Sequence, residues 1–402
     1  MESIRELIRI GVGPSSSHTM APRRAAERFG GQYPDAARYR VTLFGSLAAT
    51  GKGHLTDVAL RDAFAPAPVE IVWEPEQELP LHPNAMRFET LDDAGGVLAS
   101  WQVYSIGGGA LREEGQDLQA AAVYDLHTMA DILARCEESG WTLWEYVEQR
   151  EGAEIWTFLR EAWHAMRAAI DRGIQAEGVL PGGLGLARKA WAFHRKARTA
   201  GPRFRRTALL SAYALASAEE NASGGVIVSA PTCGSCGAVP AVLRYLHETI
   251  DCDEDAVLRG LATAGLVGNL VKHNASVSGA EVGCQGEIGT ACAMAAGAAV
   301  QLLGGTARQA EYAAEMALEH HMGLTCDPVA GLVQIPCIER NAFAAARALT
   351  CAEYALFSDG GHRIPFDEVV AVMRQTGHDL PSLYRETASG GLAAAYRLRG
   401  KG

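Results

Sequence analysis

The chain has no basic block longer than Pro-Arg-Phe-Arg-Arg at 202–206 and no long apolar run, and each absence argues against a class of protein. Lys and Arg number 36 against 47 Asp and Glu, a net charge of −11. So acidic a chain has little with which to neutralise a phosphate backbone, which argues against nucleic acid as a partner; the short basic run reads as a solvated surface. Apolar stretches such as Ala293 to Leu303 are too short to span a bilayer. The opening Met-Glu-Ser-Ile-Arg-Glu lacks the basic-then-apolar order of a secretory signal, so the expected location is cytoplasmic, with no membrane partner. Thiols stay reduced there, so the nine cysteines read as packing groups, metal ligands or reactive thiols and not as a disulfide framework. There is no internal repeat and no low-complexity tract.

What is present is enough for a large core. The 402 residues are 48% hydrophobic and 21% charged, and single cores stop growing near 250–300 residues, so about two domains are expected. Strand-like runs rich in β-branched and aromatic residues occur at Tyr39–Leu47, Val69–Trp73, Met86–Leu91 and Trp101–Ile106, separated by Pro, Gly, Asn and Asp. A helix over Ala21–Phe29 precedes them, capped by Ser15, Ser16 or Ser17. The Gly-, Gln- and Glu-rich segment Gly107–Ala122 reads as a connection.

Beyond His127 the pattern is helical almost throughout, near 127–138, 142–151, 154–175, 206–221, 236–250, 255–270, 286–304, 307–321, 339–357 and 366–377. Thr142-Leu-Trp-Glu145 reads as a capping box, and the Ala- and Gly-rich stretch 286–300 as a buried central helix. The expected fold is multidomain: a small α+β N-terminal domain with its connection over 1–126, then a large all-α domain over 127–402.

Cys284, Cys326 and Cys337 lie in Gly/Pro-interrupted segments, 42 and 11 residues apart. That spacing is too wide for a zinc finger or a ferredoxin run, so a shared metal would require convergence by tertiary folding. Three thiolates on a four-iron cluster leave one iron open, a Lewis acid suited to a small oxygen-bearing substrate. The competing reading is three unrelated cysteines. Cys136, Cys252, Cys292 and Cys351 lie in helix-like patterns or beside acids and read as packing.

Gly-rich breaks between helices carry the remaining polar candidates: Ser229–Gly237, Lys272–Glu287 and Cys326–Asn341. The N-terminal half adds Gly13-Pro-Ser-Ser-Ser-His-Thr19, Thr50-Gly-Lys-Gly-His-Leu-Thr-Asp57 and Leu79-Pro-Leu-His-Pro-Asn84. Hydroxyls and N–H groups at a helix start suit a carboxylate or phosphate. Gly-Lys-Gly-His lacks the Gly-x-x-x-x-Gly-Lys-Ser/Thr order of a nucleotide loop. His18, His54 and His82 are candidates for acid/base work, each also readable as a satisfied polar residue.

Taken together, Gly-Pro-Ser-Ser-Ser-His-Thr, Thr-Gly-Lys-Gly-His-Leu-Thr-Asp, Ser-Gly-Ala-Glu-Val-Gly-Cys-Gln-Gly-Glu and Cys-Asp-Pro-Val-Ala-Gly-x-Val-Gln-Ile-Pro-Cys-Ile-Glu-Arg-Asn resemble the bacterial iron-sulfur L-serine dehydratases over nearly the whole chain. The resemblance implies a single-chain lyase of amino-acid catabolism that deaminates L-serine to pyruvate, a gluconeogenic product, and ammonia. It implies a [4Fe–4S] cluster on Cys284, Cys326 and Cys337, no pyridoxal phosphate, and a homodimer with a small amino acid as substrate. His18, His54 and His82 occupy the matching histidine motifs, with His82 slightly ahead as the base because its Pro-flanked loop can swing over a substrate. Ser15, Ser16, Ser17, Thr232, Lys272, Asn274, Ser276 and Ser278 are the substrate-orienting candidates, each also readable as a cap.

Two departures from the family stand out. The sequence ends Arg-Leu-Arg-Gly-Lys-Gly where relatives often end in a cysteine that caps the free iron, so a water is expected there. Cys233 stands where some relatives carry Asn, giving a Cys-x-x-Cys with Cys236 that reads as pocket lining. Three other functions remain open: cysteine desulfuration or threonine deamination at the same cluster; a pyridoxal-phosphate enzyme using Gly107-Gly-Gly109 as a phosphate cradle; and a non-catalytic serine sensor.

Overall fold

The structure is a computed structural model describing residues 1–113 and 122–399. Its N-terminal part is a five-stranded sheet of order β3-β2-β4-β5-β6, built from β2 (Arg38–Phe44), β3 (Val69–Glu74), β4 (Ala85–Leu91), β5 (Val97–Ser105) and β6 (Leu111–Glu113). β2 and β3 run parallel and the other pairs antiparallel. Tyr39, Val41 and Leu43 alternate with less buried neighbours along β2, the period-2 signature of a sheet with one covered face. The cover is formed by the helices Ala21–Gln32 and Thr56–Phe64, whose Phe29, Leu60 and Phe64 join Tyr39, Met86 and Phe88 in one core. β2 ends at Phe44, short of the expected Leu47, because Gly45 takes a left-handed φ of +50° and opens a short helix, Gly45–Thr50.

The rest is helical, and the helices follow the sequence expectation closely: Met129–Ser139, Leu143–Glu151, Ile155–Gly173, Pro202–Ala222, Ala238–Thr249, Glu254–Asn274, Thr290–Leu302, Ala307–Glu319, Cys337–Leu356 and Phe366–Asp379. Thr142 N–H donates to the Glu145 carboxylate at 2.8 Å, as a capping box requires. Every residue from Thr290 to Val300 is buried, so that helix runs through the centre. The sequence reading did not include Thr56–Phe64, Ala190–Ala197 or Gly391–Arg399. These are short helices, with little periodicity to display. None of the helices among the described residues is long and apolar enough to cross a membrane. The connection expected over 107–122 lies for the most part outside the described residues.

The N-terminus does not stay with the sheet. Met1, Ile4, Leu7 and Ile8 are buried in the core of the helical part, and β1 (Arg9–Val12) pairs antiparallel with β7 (Val226–Ser229). The first dozen residues thus thread through the helical part and deliver Ser15–His18 to its surface facing the sheet domain.

The helices Ile155–Gly173 and Pro202–Ala222 are in close contact at Gly173, where an added Cβ would lie 2.4 Å from the Ala216 carbonyl oxygen and 2.7 Å from its Cα. Alanine improves helix propensity by less than about 1 kcal/mol. Overpacking against backbone costs roughly 1–3 kcal/mol. Gly173→Ala is therefore expected to lower the urea midpoint of unfolding, and a raised midpoint would contradict this packing.

Candidate active site and metal centre

Three loops bring the cysteines together, each fixed by backbone hydrogen bonds. Cys284 N–H donates to Leu324 O at 3.0 Å. Gly283 before it has φ +73°, and a Cβ there would lie 2.7 Å from the same carbonyl, so the turn needs glycine. Cys326 N–H donates to Tyr384 O at 2.7 Å and Cys326 O accepts from Thr387 N–H at 3.1 Å, which ties the Cys326 loop to the C-terminal segment. Cys337 opens the helix Cys337–Leu356. One turn on, the Asn341 side chain accepts from Gly237 N–H at 2.8 Å and donates to Gly234 O at 2.8 Å, joining that helix to the Thr232–Gly237 loop.

These three cysteines line one cavity together with Ser15, Ser16, Ser17, His54, Thr232 and Ser278. The sulfur atoms of Cys284 and Cys326 and a carboxylate oxygen of Glu287 lie within 4.8 Å of one another. The Thr232 hydroxyl donates to Glu287 at 2.9 Å. Ser16 Oγ accepts from Cys233 N–H at 2.8 Å, which ties the serine run to the helical part. Gly279 makes room: a Cβ there would meet Glu287 Oε2 at 2.6 Å and Cys326 Sγ at 3.0 Å.

The other candidates are placed differently. His18 is fully buried behind the serines, its Nδ1 2.8 Å from Ser17 Oγ and its ring 4.6 Å from that of His54. His82, Lys272 and Ser276 line a neighbouring cavity of about 320 Å³, which shares Gly107 and Val277 with the first. His82 Nε2 lies 3.8 Å from Glu281. Lys272 Nζ donates to Glu2 at 2.8 Å and to Glu6 O at 3.2 Å. Asn274 donates to His127 O and Leu270 O at the end of its helix.

Cys233 and Cys236 are buried free thiols, the first 3.1 Å from Met20 Sδ and the second directed at Ser217 O. Burial pushes both thiols above their ordinary range, the opposite of a reactive Cys-x-x-Cys. Cys136, Cys292 and Cys351 are buried free thiols too, also raised by burial, whereas Cys252 is only partly buried.

Three residues absent from the expected set also belong here. Glu287 stands inside a quoted motif, yet nothing in that motif distinguished its carboxylate from a helix-cap acid. Arg340 follows Cys337 by three residues, donates to Thr325 O at 2.7 Å and is the cation beside Cys284. Glu386 comes from a segment with no distinctive pattern. It holds φ +49°, which costs a non-glycine residue roughly 1–2 kcal/mol, and sits 3.5 Å from His18 Nδ1.

Burial dominates the electrostatics. It lowers His18 to about 4 and His54 well below the ordinary imidazole value, the latter aided by His18, so both rings are neutral at pH 7. It also raises Glu287 and Glu386 to about 7, the former with help from the latter. A hydrogen bond from Cys326 holds Cys284 down and itself well up, and burial pushes Cys337 up. Three thiols, two buried and Cys337 partly so, face one arginine and two carboxyl groups and have too little positive charge nearby to ionise together. A bound metal would supply it, and sulfur donors of this kind suit an iron-sulfur centre. The donor set therefore fits the cluster.

Comparison with known proteins agrees with this architecture. Residues 3–67 match the model of the serine dehydratase beta chain and residues 89–393 that of the serine dehydratase alpha chain. The chain is 41% identical to an L-serine dehydratase of Streptomyces coelicolor, covering 97% of this chain and 98% of that protein. It is 40% identical to L-serine dehydratase 1 of Escherichia coli (98% and 99%) and 37% identical to an L-serine dehydratase of Helicobacter pylori (97% and 98%). A small α+β part followed by a large helical one, matched in this order and over this length, makes the chain an enzyme of the serine dehydratase family, with beta-type and alpha-type parts in one polypeptide.

Proposed function

We propose that this chain dehydrates and deaminates L-serine to pyruvate and ammonia at a [4Fe–4S] cluster held by Cys284, Cys326 and Cys337. The observation that carries the proposal is the single cavity lined by these three thiols, the Ser15–Ser17 run and one histidine with a free ring nitrogen. The cluster would supply Lewis acidity at its iron without a protein thiolate, which eases loss of a β-hydroxyl.

The chain's own residues do the rest. Ser15, Ser16, Ser17, Thr232 and Ser278 line the cavity, where hydroxyls orient the carboxylate and ammonium of a small amino acid. His54 takes the α-proton. Its Nδ1 is buried with no hydrogen-bond partner among the described residues, and the ring lines the cavity. His82, put slightly ahead on sequence, lines the neighbouring cavity with Lys272 and Ser276, which favours His54. His18 positions His54 by ring contact and is itself held by Ser17 and Ser46. Loss of the α-proton and of the β-hydroxyl, which leaves as water, gives an aminoacrylate; it tautomerises to an imine, and water releases ammonia.

No lysine lines this cavity among the described residues, which favours the reading without pyridoxal phosphate. Lys272 and Asn274 serve in this reading as supports of the neighbouring wall. The same reading carries a division at residue 126/127 and a cytoplasmic homodimer.

Substituting Ser for Cys284, Cys326 or Cys337 is expected to remove bound iron, sulfide and brown absorbance from anaerobically purified protein along with pyruvate formation. A variant that keeps full iron and colour would remove that cysteine from the ligand set. His54→Ala is expected to lower turnover by about 10²–10⁴-fold with iron content unchanged, and His82→Ala by less. The reverse order, assayed across serine, threonine and cysteine, would return the base to His82.

A further inference from the structure

A groove of about 770 Å³ lies between the helices Ala307–Glu319 and Cys337–Leu356 and the segment 362–364, on surfaces that the proposed chemistry does not use. We propose that it binds a free α-amino acid with a large apolar side chain, its ammonium on Glu315 and its carboxylate on Arg347 and Arg363.

Glu315 is 4% exposed, lines the groove, and makes no hydrogen bond or ion pair among the described residues. The contrast with Glu311, one turn earlier, is direct: that carboxylate accepts from Phe366 N–H at 2.8 Å and faces His362 Nε2 at 3.1 Å. A carboxylate withdrawn from water without a partner is costly. Burial, followed by Glu319, raises Glu315 to about 7, with His362 acting the other way from across the groove, and no group among the described residues bonds to the carboxylate. An ammonium would supply the missing partner. Tyr312 and Tyr354 also line the groove, with ring centroids 6.1 Å apart and nearly perpendicular, and aromatic faces attract organic cations.

The remaining lining selects among cations. Arg347 and Arg363 form no ion pair among the described residues, and Arg347 makes only a 3.4 Å contact to His320 O among them. An inorganic cation would have no use for two guanidinium groups, and a simple anion would be repelled by Glu315. A zwitterion matches both signs. Phe343 and Ile364, 75% and 50% exposed, together with Met316, give an apolar wall for its side chain.

The test is equilibrium dialysis of the full-length, anaerobically purified protein with labelled L-phenylalanine, phenethylamine and 3-phenylpropionate. Phenylalanine is expected to be retained most tightly, with each analogue weaker for want of one charged end. Glu315→Gln, which keeps shape and removes charge, is expected to weaken phenylalanine binding roughly 10–100-fold while serine turnover stays at the parent level. Thr350→Trp, which obstructs the groove, is expected to weaken it as well. The proposal is overturned by no retention of phenylalanine at millimolar concentration, by either analogue binding as tightly, or by unchanged binding in Glu315→Gln. None of these outcomes bears on the iron content or pyruvate formation that test the cysteine cavity.

Discussion

Withdrawal of Cys284, Cys326 and Cys337 from water around one cavity is the constraint to which the rest of the site answers. A thiol is tolerated in an apolar interior as a small hydrophobe, but three around one cavity, with Glu287 and Glu386 beside them, create a place where ionisation is opposed by burial and by like charge. Among the described residues, Arg340 is the cation that offsets it locally. Such an arrangement is poor as packing and well suited to a cationic centre, whose charge reverses the local preference for neutral groups.

Hydrogen bonds between segments distant in sequence tie that arrangement together. The Cys284 loop is tied to Leu324, the Cys326 loop to the 384–387 segment, and the Cys337 helix through Asn341 to the Thr232–Gly237 loop. Each link crosses tens of residues of sequence, so the site exists only when the helical part is folded around its central helix. The N-terminal residues complete it: by burying Met1, Ile4, Leu7 and Ile8 and pairing β1 with β7, the chain carries its serine run from the sheet side into contact with Cys233. The two parts are therefore joined through the site itself.

The chain is about 40% identical to L-serine dehydratases over nearly the full length of both. The groove around Glu315 lies on the same two helices that lead into Cys326 and Cys337, yet it is built from their outward faces. One helix thus presents Cys337 to the cavity at its start and Phe343, Arg347, Thr350 and Tyr354 to solvent farther along, as a 3.6-residue period allows.

How much could be read beforehand follows the range of the interaction concerned. Periodicity within ten to twenty residues gave the long helices, the strands of the sheet and the buried centre at 290–300, because those patterns are local. The short helices Thr56–Phe64 and Ala190–Ala197 and the turn at Gly45 were not legible, since one or two turns carry too little pattern. The motifs named the cysteines, the serines and three histidines, and with them the family. Sequence put His82 slightly ahead of His54 on the strength of its Pro-flanked loop, and only the folded chain puts His54 beside the cysteines and His82 across Gly107 and Val277. Sequence could not single out Glu287, or find Glu386 in a patternless segment. Local order was written in the residue pattern; which side chains share a cavity was decided by contacts hundreds of residues apart, to which no local pattern corresponds.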